Sequence, residues 1–174
     1  MKKSNIACLL LCGGIFTLDQ ALKRQARKKI EAGNSRKPEI RQDGDSRRNG
    51  LSRWASGRLL FHNSRNYGAC LNAGEKHPRL VRRIAAILTA VSAGGLMFSM
   101  RKKGNGTLKL GLSLLTGGAL SNLVDRYRDG YVTDYVSFPK APGRMKGIVY
   151  NIGDFAIGAG TMLVAGSQMK EDID

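Results

Sequence analysis

Four apolar blocks, separated by polar segments, constrain the fold of this 174-residue chain more than any other feature. They lie at residues 6–18, 84–100, 110–124 and 148–166. A helix that crosses the hydrocarbon core of a bilayer needs about 20 residues, within a range of about 17–25. The second and fourth blocks reach this length directly, and the first and third reach it with polar ends.

The blocks predict an all-α integral membrane protein, built as a bundle of four transmembrane helices. We place the helices at about residues 5–23, 80–100, 107–125 and 147–167, within a single domain that spans residues 1–174. Small residues crowd the blocks, which favours close contact between helices in lipid. The glycines that carry this expectation are Gly13, Gly14, Gly94, Gly95, Gly117, Gly118, Gly158 and Gly160.

The first block also fits a secretory signal peptide, because Lys2 and Lys3 precede a short apolar run. No small-x-small cleavage site closes that run before Asp19. A lipoprotein box needs a small residue before its cysteine, but Leu11 stands before Cys12. We therefore expect a first helix that is retained in the protein.

Cysteine and histidine usage gives no indication of a metal site. The three cysteines do not provide a disulfide framework or the spacing of metal ligands. His62 and His77 lie in a polar segment without a second pair of ligands beside them. The sequence predicts no metal and no cofactor.

A basic loop over about residues 24–79 holds most of the formal net charge of +16. Its part at residues 51–71 mixes aromatic and aliphatic with polar residues, which predicts short strands or an interfacial platform. Such a charge run is typical of surfaces that bind nucleic acid or anionic lipid, and also of solvated loops that lie against a membrane. Aromatic residues are not interleaved with the basic ones as in a base-stacking platform, so no nucleic-acid partner is expected.

The orientation of the helices is not decided by charge. Four helices place both termini on one side of the membrane and the 24–79 loop on the other. Lys and Arg are more numerous on the side of the loop, and this count favours a cytoplasmic loop. However, a loop of nearly 60 residues lies at the limit of the rule, which applies to shorter loops.

Asp134 and Asp154 stand 20 residues apart, and Asp154 lies inside the fourth apolar block. An ionisable side chain in a bilayer costs about 2.5–3.5 kcal/mol on insertion scales, so it indicates a function by default. The alternative is a structural carboxylate, satisfied by an arginine or by a helix N-terminus. Two carboxylates brought close share one proton, which allows them to hydrolyse a peptide bond without metal.

Five short boxes carry a resemblance to a known family. The chain reads Gly-Gly-Ala-Leu-Ser-Asn-Leu-Val-Asp-Arg from Gly117, has Asp134 nine residues after Asp125, and reads Tyr-Asn-Ile-Gly-Asp at residues 150–154. Upstream are Asp-Gln-Ala-Leu-Lys at residues 19–23 and Asn-Tyr-Gly-Ala at residues 66–69. Together these boxes resemble signal peptidase II, the lipoprotein signal peptidase. The chain departs from the family at residues 70–72 and at Gly153, where alanine is common.

The resemblance implies an aspartic endopeptidase in which Asp134 and Asp154 are the catalytic dyad. The matching positions expected to bind substrate or support the site are Asp19, Lys23, Asn66, Gly68, Asn122, Asp125, Arg126 and Asn151. Two pairs among them have a structural alternative. Asp125 and Arg126 could form a helix-end ion pair that fixes the loop, and Asp19 and Lys23 an ordinary i,i+4 pair worth about 0.2–0.5 kcal/mol.

The resemblance also implies the partners and the location. The substrate is a diacylglyceryl-prolipoprotein, cut just before its lipidated cysteine, and membrane lipids surround the helices. The enzyme is a multi-pass protein of a bacterial cell membrane with its active site toward the extracytoplasmic side. On that reading the basic loop is a small extracytoplasmic element, β-rich or irregular, between helices 1 and 2.

Two rival functions come from other classes of protein. One is a non-catalytic four-helix membrane protein that binds anionic lipid through its basic loop. The other is a membrane-anchored protein that binds nucleic acid through the same loop. The five boxes favour the peptidase over both.

Overall fold

The computed structural model describes residues 3–34, 60–69, 73–138 and 148–171. Four helices and three short strands make up this part of the chain. In chain order they are α1 (Lys3–Asn34), β1 (Leu60–Asn66), α2 (Pro78–Arg101), α3 (Gly106–Arg128), β2 (Val132–Ser137), β3 (Val149–Tyr150) and α4 (Ile152–Glu171).

The four helices occupy the four apolar blocks, but two of them have other bounds than expected. Helix α1 continues to Asn34, well past the predicted end at residue 23. Helix α4 begins at Ile152 and not near residue 147, because residues 149 and 150 form strand β3. The side-chain oxygen of Asn151 accepts a 2.9 Å hydrogen bond from the backbone N–H of Asp154. Asn151 thereby caps the helix and fixes its first turn.

Helix α3 is the centre of the bundle and packs against each of the other three helices. Glycines allow the backbones to approach closely there. A Cβ atom on Gly117 would lie 2.6 Å from the carbonyl oxygen of Cys12 in α1, and one on Gly160 2.6 Å from that of Gly111 in α3. Gly118 and Gly153 form a third close contact, between α3 and α4.

Close packing does not explain every glycine that the sequence suggested. A Cβ atom on Gly13, Gly14, Gly94 or Gly158 would meet nothing within 4 Å. These positions lie on helix surfaces that no other described element covers. The expectation of glycine-mediated helix contact is therefore wrong for these four positions, because the spacing of small residues does not show which side of a helix is covered.

The bundle has polar residues inside and apolar residues outside. Large apolar side chains on the outer faces are strongly exposed, such as Leu10 at 70%, Val91 at 66% and Met162 at 77%. Ser113 and Ser121 of α3, in contrast, are completely buried. This is the reverse of a water-soluble domain, and it fits a surface covered by lipid acyl chains.

Two segments of the described chain are long and apolar enough to cross a membrane, namely Lys3–Lys28 of α1 and Pro78–Arg101 of α2. Helices α3 and α4 do not meet the same test. Both helices are long enough, but polar and charged residues, such as Lys109 and Asn122 in α3 and Asp154 in α4, lower their mean hydropathy. Length and hydropathy thus support two of the four predicted membrane spans, those of α1 and α2.

The strands form one antiparallel sheet in the order β1-β2-β3. Ser64 of β1 pairs with Asp134 of β2, and Val136 of β2 pairs with Tyr150 of β3. The predicted β element between helices 1 and 2 is therefore only partly right. Strand β1 lies there, but its partners come from the connection between α3 and α4. Residues 51–59 and 70–71 of the predicted platform lie outside the described residues.

Candidate active site

Asp134 and Asp154 reach the same site from two different elements. Asp134 lies in the middle of strand β2, and its side chain is 2% exposed. Asp154 lies in the first turn of α4. The site is at the end of the bundle where the sheet meets α1 and α3.

Asn151 connects the two carboxylates directly. Its side-chain amide donates a 2.6 Å hydrogen bond to Oδ1 of Asp134. Its backbone N–H donates a 3.1 Å hydrogen bond to Oδ2 of Asp154. Because one residue binds both carboxylates, the relative position of the two acids is fixed by the turn that begins α4.

Two further asparagines complete the contacts of the carboxylates. Asn66 donates from Nδ2 to Oδ2 of Asp134 at 3.0 Å, and Asn122 donates from Nδ2 to Oδ1 of Asp154 at 2.9 Å. Each carboxylate oxygen of the pair thus accepts one hydrogen bond from an asparagine. The donors come from β1, from α3 and from the residue before α4.

The direction of these hydrogen bonds is set by the partners of the asparagine oxygens. Oδ1 of Asn66 accepts from the backbone N–H of Gly68 at 3.0 Å, and Oδ1 of Asn122 accepts from Lys23 at 2.7 Å. Oδ1 of Asn151 accepts from the N–H of Asp154. Only the NH₂ group of each amide is left to face a carboxylate. The three asparagines therefore present donors, which suits at least one ionised acid.

Burial and, next in size, the charge of Asp154 together raise the pKa of Asp134 from 3.8 to about 7. Hydrogen bonds from Asn66 and Asn151 and the charge of Lys23 oppose this rise. The carboxyl group of Asp134 is consequently poised to gain or lose a proton near neutral pH. This property is frequent in acid–base catalysts.

A fully buried lysine lies behind the pair. Lys23 contacts Oδ2 of Asp19 at 2.7 Å and Oδ2 of Asp125 at 3.2 Å, and all three side chains are inaccessible to solvent. The predicted i,i+4 pair between Asp19 and Lys23 therefore exists, but it is not an ordinary surface pair. It joins α1 to α3 and also reaches the site through Asn122.

Arg126 does not form the expected helix-end ion pair with Asp125. Its Nη2 donates to the carbonyl oxygen of Gly68 at 2.8 Å, and its Nη1 donates to that of Asn122 at 3.3 Å. The ion pairs of Asp125 are with Lys23, Arg27 and Arg128 instead. Asp125 and Arg126 are adjacent in the helix, so their side chains point in different directions and bind different partners.

Sequence reasoning missed three residues that join the site to the buried lysine. The hydroxyl of Tyr135 donates to Oδ1 of Asp19 at 2.9 Å and accepts from the N–H of Ile152 at 3.0 Å. Ser121 donates to Oδ2 of Asp19 at 2.6 Å, and Gln20 donates to Ser121 and Asp125. Each missed residue is next in sequence to a predicted one, which was the only signal.

Tyr135 keeps its proton at neutral pH. Burial raises its pKa, and so does the negative charge of Asp19. The neutral hydroxyl can therefore donate to Asp19 and accept from Ile152 at the same time. It ties strand β2 to the start of α4, which carries the second aspartate.

Two further missed residues are Arg27 and Thr133. Arg27 donates from Nε to Oγ1 of Thr133 at 2.9 Å and lies 3.1 Å from Asp125. Arg27 follows Asp19 and Lys23 at spacings of four residues, so the three lie on one side of α1. That spacing was a signal in the sequence. Thr133, in contrast, had none beyond its place beside Asp134.

The described residues contain no group of three or more histidine, cysteine or acidic side chains arranged to hold a metal ion. Cys8 and Cys12, both in α1, are free thiols. The acidic residues of the site are instead satisfied by asparagine, lysine, arginine, serine and tyrosine donors. Lys23 in particular occupies the space between two carboxylates.

Comparison with known proteins identifies the family. A family model described as signal peptidase (SPase) II matches residues 11–170 of the chain. The chain belongs to the signal peptidase II family. This confirms the resemblance that the five sequence boxes indicated. The matched range includes both aspartates and every asparagine that binds them.

Curated relatives carry the name lipoprotein signal peptidase. The protein of Halothermothrix orenii is 38% identical over 69 residues, which are 40% of this chain and 43% of the relative. That of Shewanella oneidensis is 35% identical over 102 residues, which are 58% of this chain and 59% of the relative. The chain spans about half the length of the curated relatives that it matches.

Two solved structures of a bacterial membrane enzyme, determined by the in meso method, share the fold. The one at 2.3 Å resolution has a TM-score of 0.68 at 19% identity, and the match covers 95% of this chain and 89% of the other. The one at 1.9 Å resolution has a TM-score of 0.62 at 21% identity, with 94% and 93% covered. The apolar exterior of the helices supports membrane association of this family member.

Replacement of Lys23 by methionine tests the role of the buried cation. It leaves the carboxylates of Asp19 and Asp125 buried with less compensation, and removal of one partner of a buried pair costs about 3–5 kcal/mol. We expect a clearly lower thermal unfolding midpoint in detergent solution. The control is Lys28→Met on the exposed side of the same helix. Equal midpoints for the two variants would contradict a structural role of the buried ion pairs.

Proposed function

We propose that the chain is a lipoprotein signal peptidase in which Asp134 and Asp154 form a catalytic aspartate dyad. The observation that carries the proposal is the bridge through Asn151, which binds one oxygen of each carboxylate. Asn66 and Asn122 bind the remaining oxygens and hold both acids in place. Membership of the signal peptidase II family supports hydrolysis of a peptide bond as the reaction.

The chemistry follows from one proton shared by two acids. Asp134, whose pKa lies near 7, carries the proton on the acid side of neutrality, and Asp154 is then the ionised member. Asp154 takes a proton from a water molecule, and the water oxygen attacks the carbonyl carbon of the scissile bond. Asp134 gives its proton to the substrate as the C–N bond breaks. The products are a peptide with a new carboxyl group and a protein with a new amino group.

Arg126 is well placed to bind the substrate backbone in this reaction. Its side chain lies between Gly68 and Asn122, and its Nε is buried without a hydrogen-bond partner in the described part of the protein. A buried donor without a partner carries a free-energy cost. A carbonyl oxygen of the bound peptide would satisfy it. Gly68 contributes its carbonyl oxygen to hold Arg126, in agreement with a supporting role.

The names of the curated relatives support a lipoprotein precursor as the substrate. We propose that the precursor carries diacylglycerol on its cysteine and is cut just before that residue. The apolar outer surfaces of the helices suit the acyl chains, because these then stay in the lipid while the peptide enters the polar end. Leu10, Val91 and Met162 are examples of side chains that face such surroundings.

We further propose that all four helices cross the membrane, with the site at the extracytoplasmic surface. Helices α3 and α4 pack along one another through Gly111, Gly118, Gly153 and Gly160, as spans of a bundle do. Polar side chains such as Lys109 and Ser113 of α3 and Ser167 of α4 are buried against neighbouring helices and so are shielded from lipid. The sheet and the dyad share one end of the bundle, where water and an exported peptide can reach them.

Replacement of either aspartate by asparagine tests the dyad. Asp134→Asn and Asp154→Asn keep the size of the side chain but remove the shared proton and the base. We expect cleavage of a diacylglyceryl-modified precursor to fall about 10²- to 10⁴-fold, the usual effect of losing a general base or acid. Conversion of precursor to mature lipoprotein on gels measures it.

The matched control is Glu75→Gln, which changes a carboxylate that is exposed near the start of α2. This variant should process the precursor at the rate of the unchanged protein. Normal processing by both aspartate variants would exclude the proposed dyad and favour a non-catalytic membrane protein.

The pH dependence of kcat/KM tests the protonation of Asp134. The pKa of this group is raised, so its proton is present below about pH 7 and is lost as the pH increases through 7. We therefore expect activity to decline above about pH 7. Asn66→Ala removes a hydrogen bond that favours the charged form, so the pKa should increase and the decline should move to higher pH. A decline that moves to lower pH in this variant would contradict the assignment.

A further inference from the structure

Arg27 ties helix α1 to the strand that carries Asp134. Its Nε donates to Oγ1 of Thr133 at 2.9 Å, and its Nη2 lies 3.1 Å from Oδ1 of Asp125 and 3.1 Å from Oδ2 of Asp129. These three partners lie at the end of α3, just after it and in β2. One guanidinium group thus spans the whole connection from α3 to β2.

Thr133 is held from two sides. Its backbone N–H donates to Oδ2 of Asp125 at 3.2 Å, while its hydroxyl oxygen accepts from Arg27. The residue is completely buried. Successive side chains of a strand point to opposite faces, so Thr133 faces α1 and α3 while Asp134 faces the asparagines. A restraint on Thr133 therefore restrains the backbone that aims Asp134 at its partners.

The connection between α3 and β2 needs such a restraint. It consists of Asp129, Gly130 and Tyr131, and Gly130 has a φ angle of +80°. Glycine adopts this conformation readily but also leaves it readily. The N–H of Asp129 bonds to the carbonyl oxygen of Asp125 at 2.7 Å, which fixes only the first residue. Arg27 contacts both ends of the connection, through Asp129 and Thr133.

We propose that Arg27 is a positioning residue for Asp134, which it holds in place through Thr133 and the α3–β2 connection. The proposal rests on the proposed function of the dyad. The planar guanidinium group is essential to the role, because its donors point in fixed directions toward three acceptors. A lysine at this position keeps the charge but is a compact point charge and does not reproduce the geometry.

The role of Arg27 is geometric and separate from the charge of the site. Lys23 is the cation whose charge lowers the pKa of Asp134. The hydrogen-bond donors to Asp134 are Asn66 and Asn151. Arg27 faces Asp125 and Asp129, whose charges it offsets, and Arg128 lies beside the same two acids. Loss of Arg27 should therefore displace Asp134 and lower kcat, and it should change the pH at which activity declines less than Asn66→Ala does.

The experiment compares four variants of the full-length protein in detergent or lipid, with a diacylglyceryl-modified precursor as substrate. They are Arg27→Met, Arg27→Lys, Thr133→Val and the double variant Arg27→Met/Thr133→Val. The matched control is Arg24→Met, since Arg24 is exposed on the same helix three residues earlier. The measurements are kcat and KM, the pH profile and the thermal midpoint.

We expect Arg27→Met and Thr133→Val each to lower kcat about 10- to 100-fold, as a displacement of about 1 Å does, with little change in KM. Arg27→Lys should not restore kcat, and the pH of the decline should change less than it does in Asn66→Ala. The double variant should be no slower than the slower single variant, because both changes remove the same contact. Arg24→Met should behave like the unchanged protein.

Several results would overturn the inference. They are restoration of kcat by Arg27→Lys, independent effects that multiply in the double variant, or a lower thermal midpoint with unchanged kcat. Thr133→Val keeps nearly the same shape, so it decides the matter if the Arg27 variants do not fold. Asp134→Asn is assayed beside them. The positioning role alone fails if the unchanged protein cleaves the precursor, Asp134→Asn does not, and Arg27→Met has the same kcat as Arg24→Met. If the unchanged protein does not cleave the precursor, both proposals fail.

Discussion

Lys23 holds α1 against α3 through its buried contacts with Asp19 and Asp125. All three side chains are completely buried, and the effective cost of burying a charge is several kcal/mol. This cost is offset only when every charge finds partners, so the network fixes α1 against α3. The same ammonium group orients Asn122, which in turn donates to Asp154. One lysine thereby links the fold of the bundle to the geometry of the dyad.

Opposing interactions set the pKa of Asp134 close to neutral pH. Burial and mutual repulsion favour the protonated form of Asp134, whereas Asn66, Asn151 and Lys23 favour the ionised form. The asparagines cannot turn their oxygens toward the acids, because Lys23 and two backbone N–H groups already occupy those oxygens. The protein therefore holds the two acids together with donors alone, an arrangement in which a single proton between the acids removes their mutual repulsion.

Local patterns in the sequence were enough for the helices and for the residues of the boxes, since apolar blocks and short motifs are properties of neighbouring residues. They were not enough for contacts between distant segments. Strand β1 pairs with a strand that follows α3, and Asn66 meets Asp134 across 68 residues. The hydroxyl of Tyr135 meets its partners, Asp19 of α1 and the N–H of Ile152, only in the folded protein. No local pattern distinguishes this tyrosine from Tyr131.

The proposed mechanism depends above all on the protonation state of Asp134. Infrared spectra recorded over a pH series report the C=O absorption of protonated carboxyl groups, and the difference between the unchanged protein and Asp134→Asn isolates this residue. We expect a carboxyl group that is protonated at pH 6, loses its proton near pH 7 and is missing in the variant. A group that titrates near pH 4, as an ordinary aspartic acid does, would contradict the shared proton and the mechanism built on it.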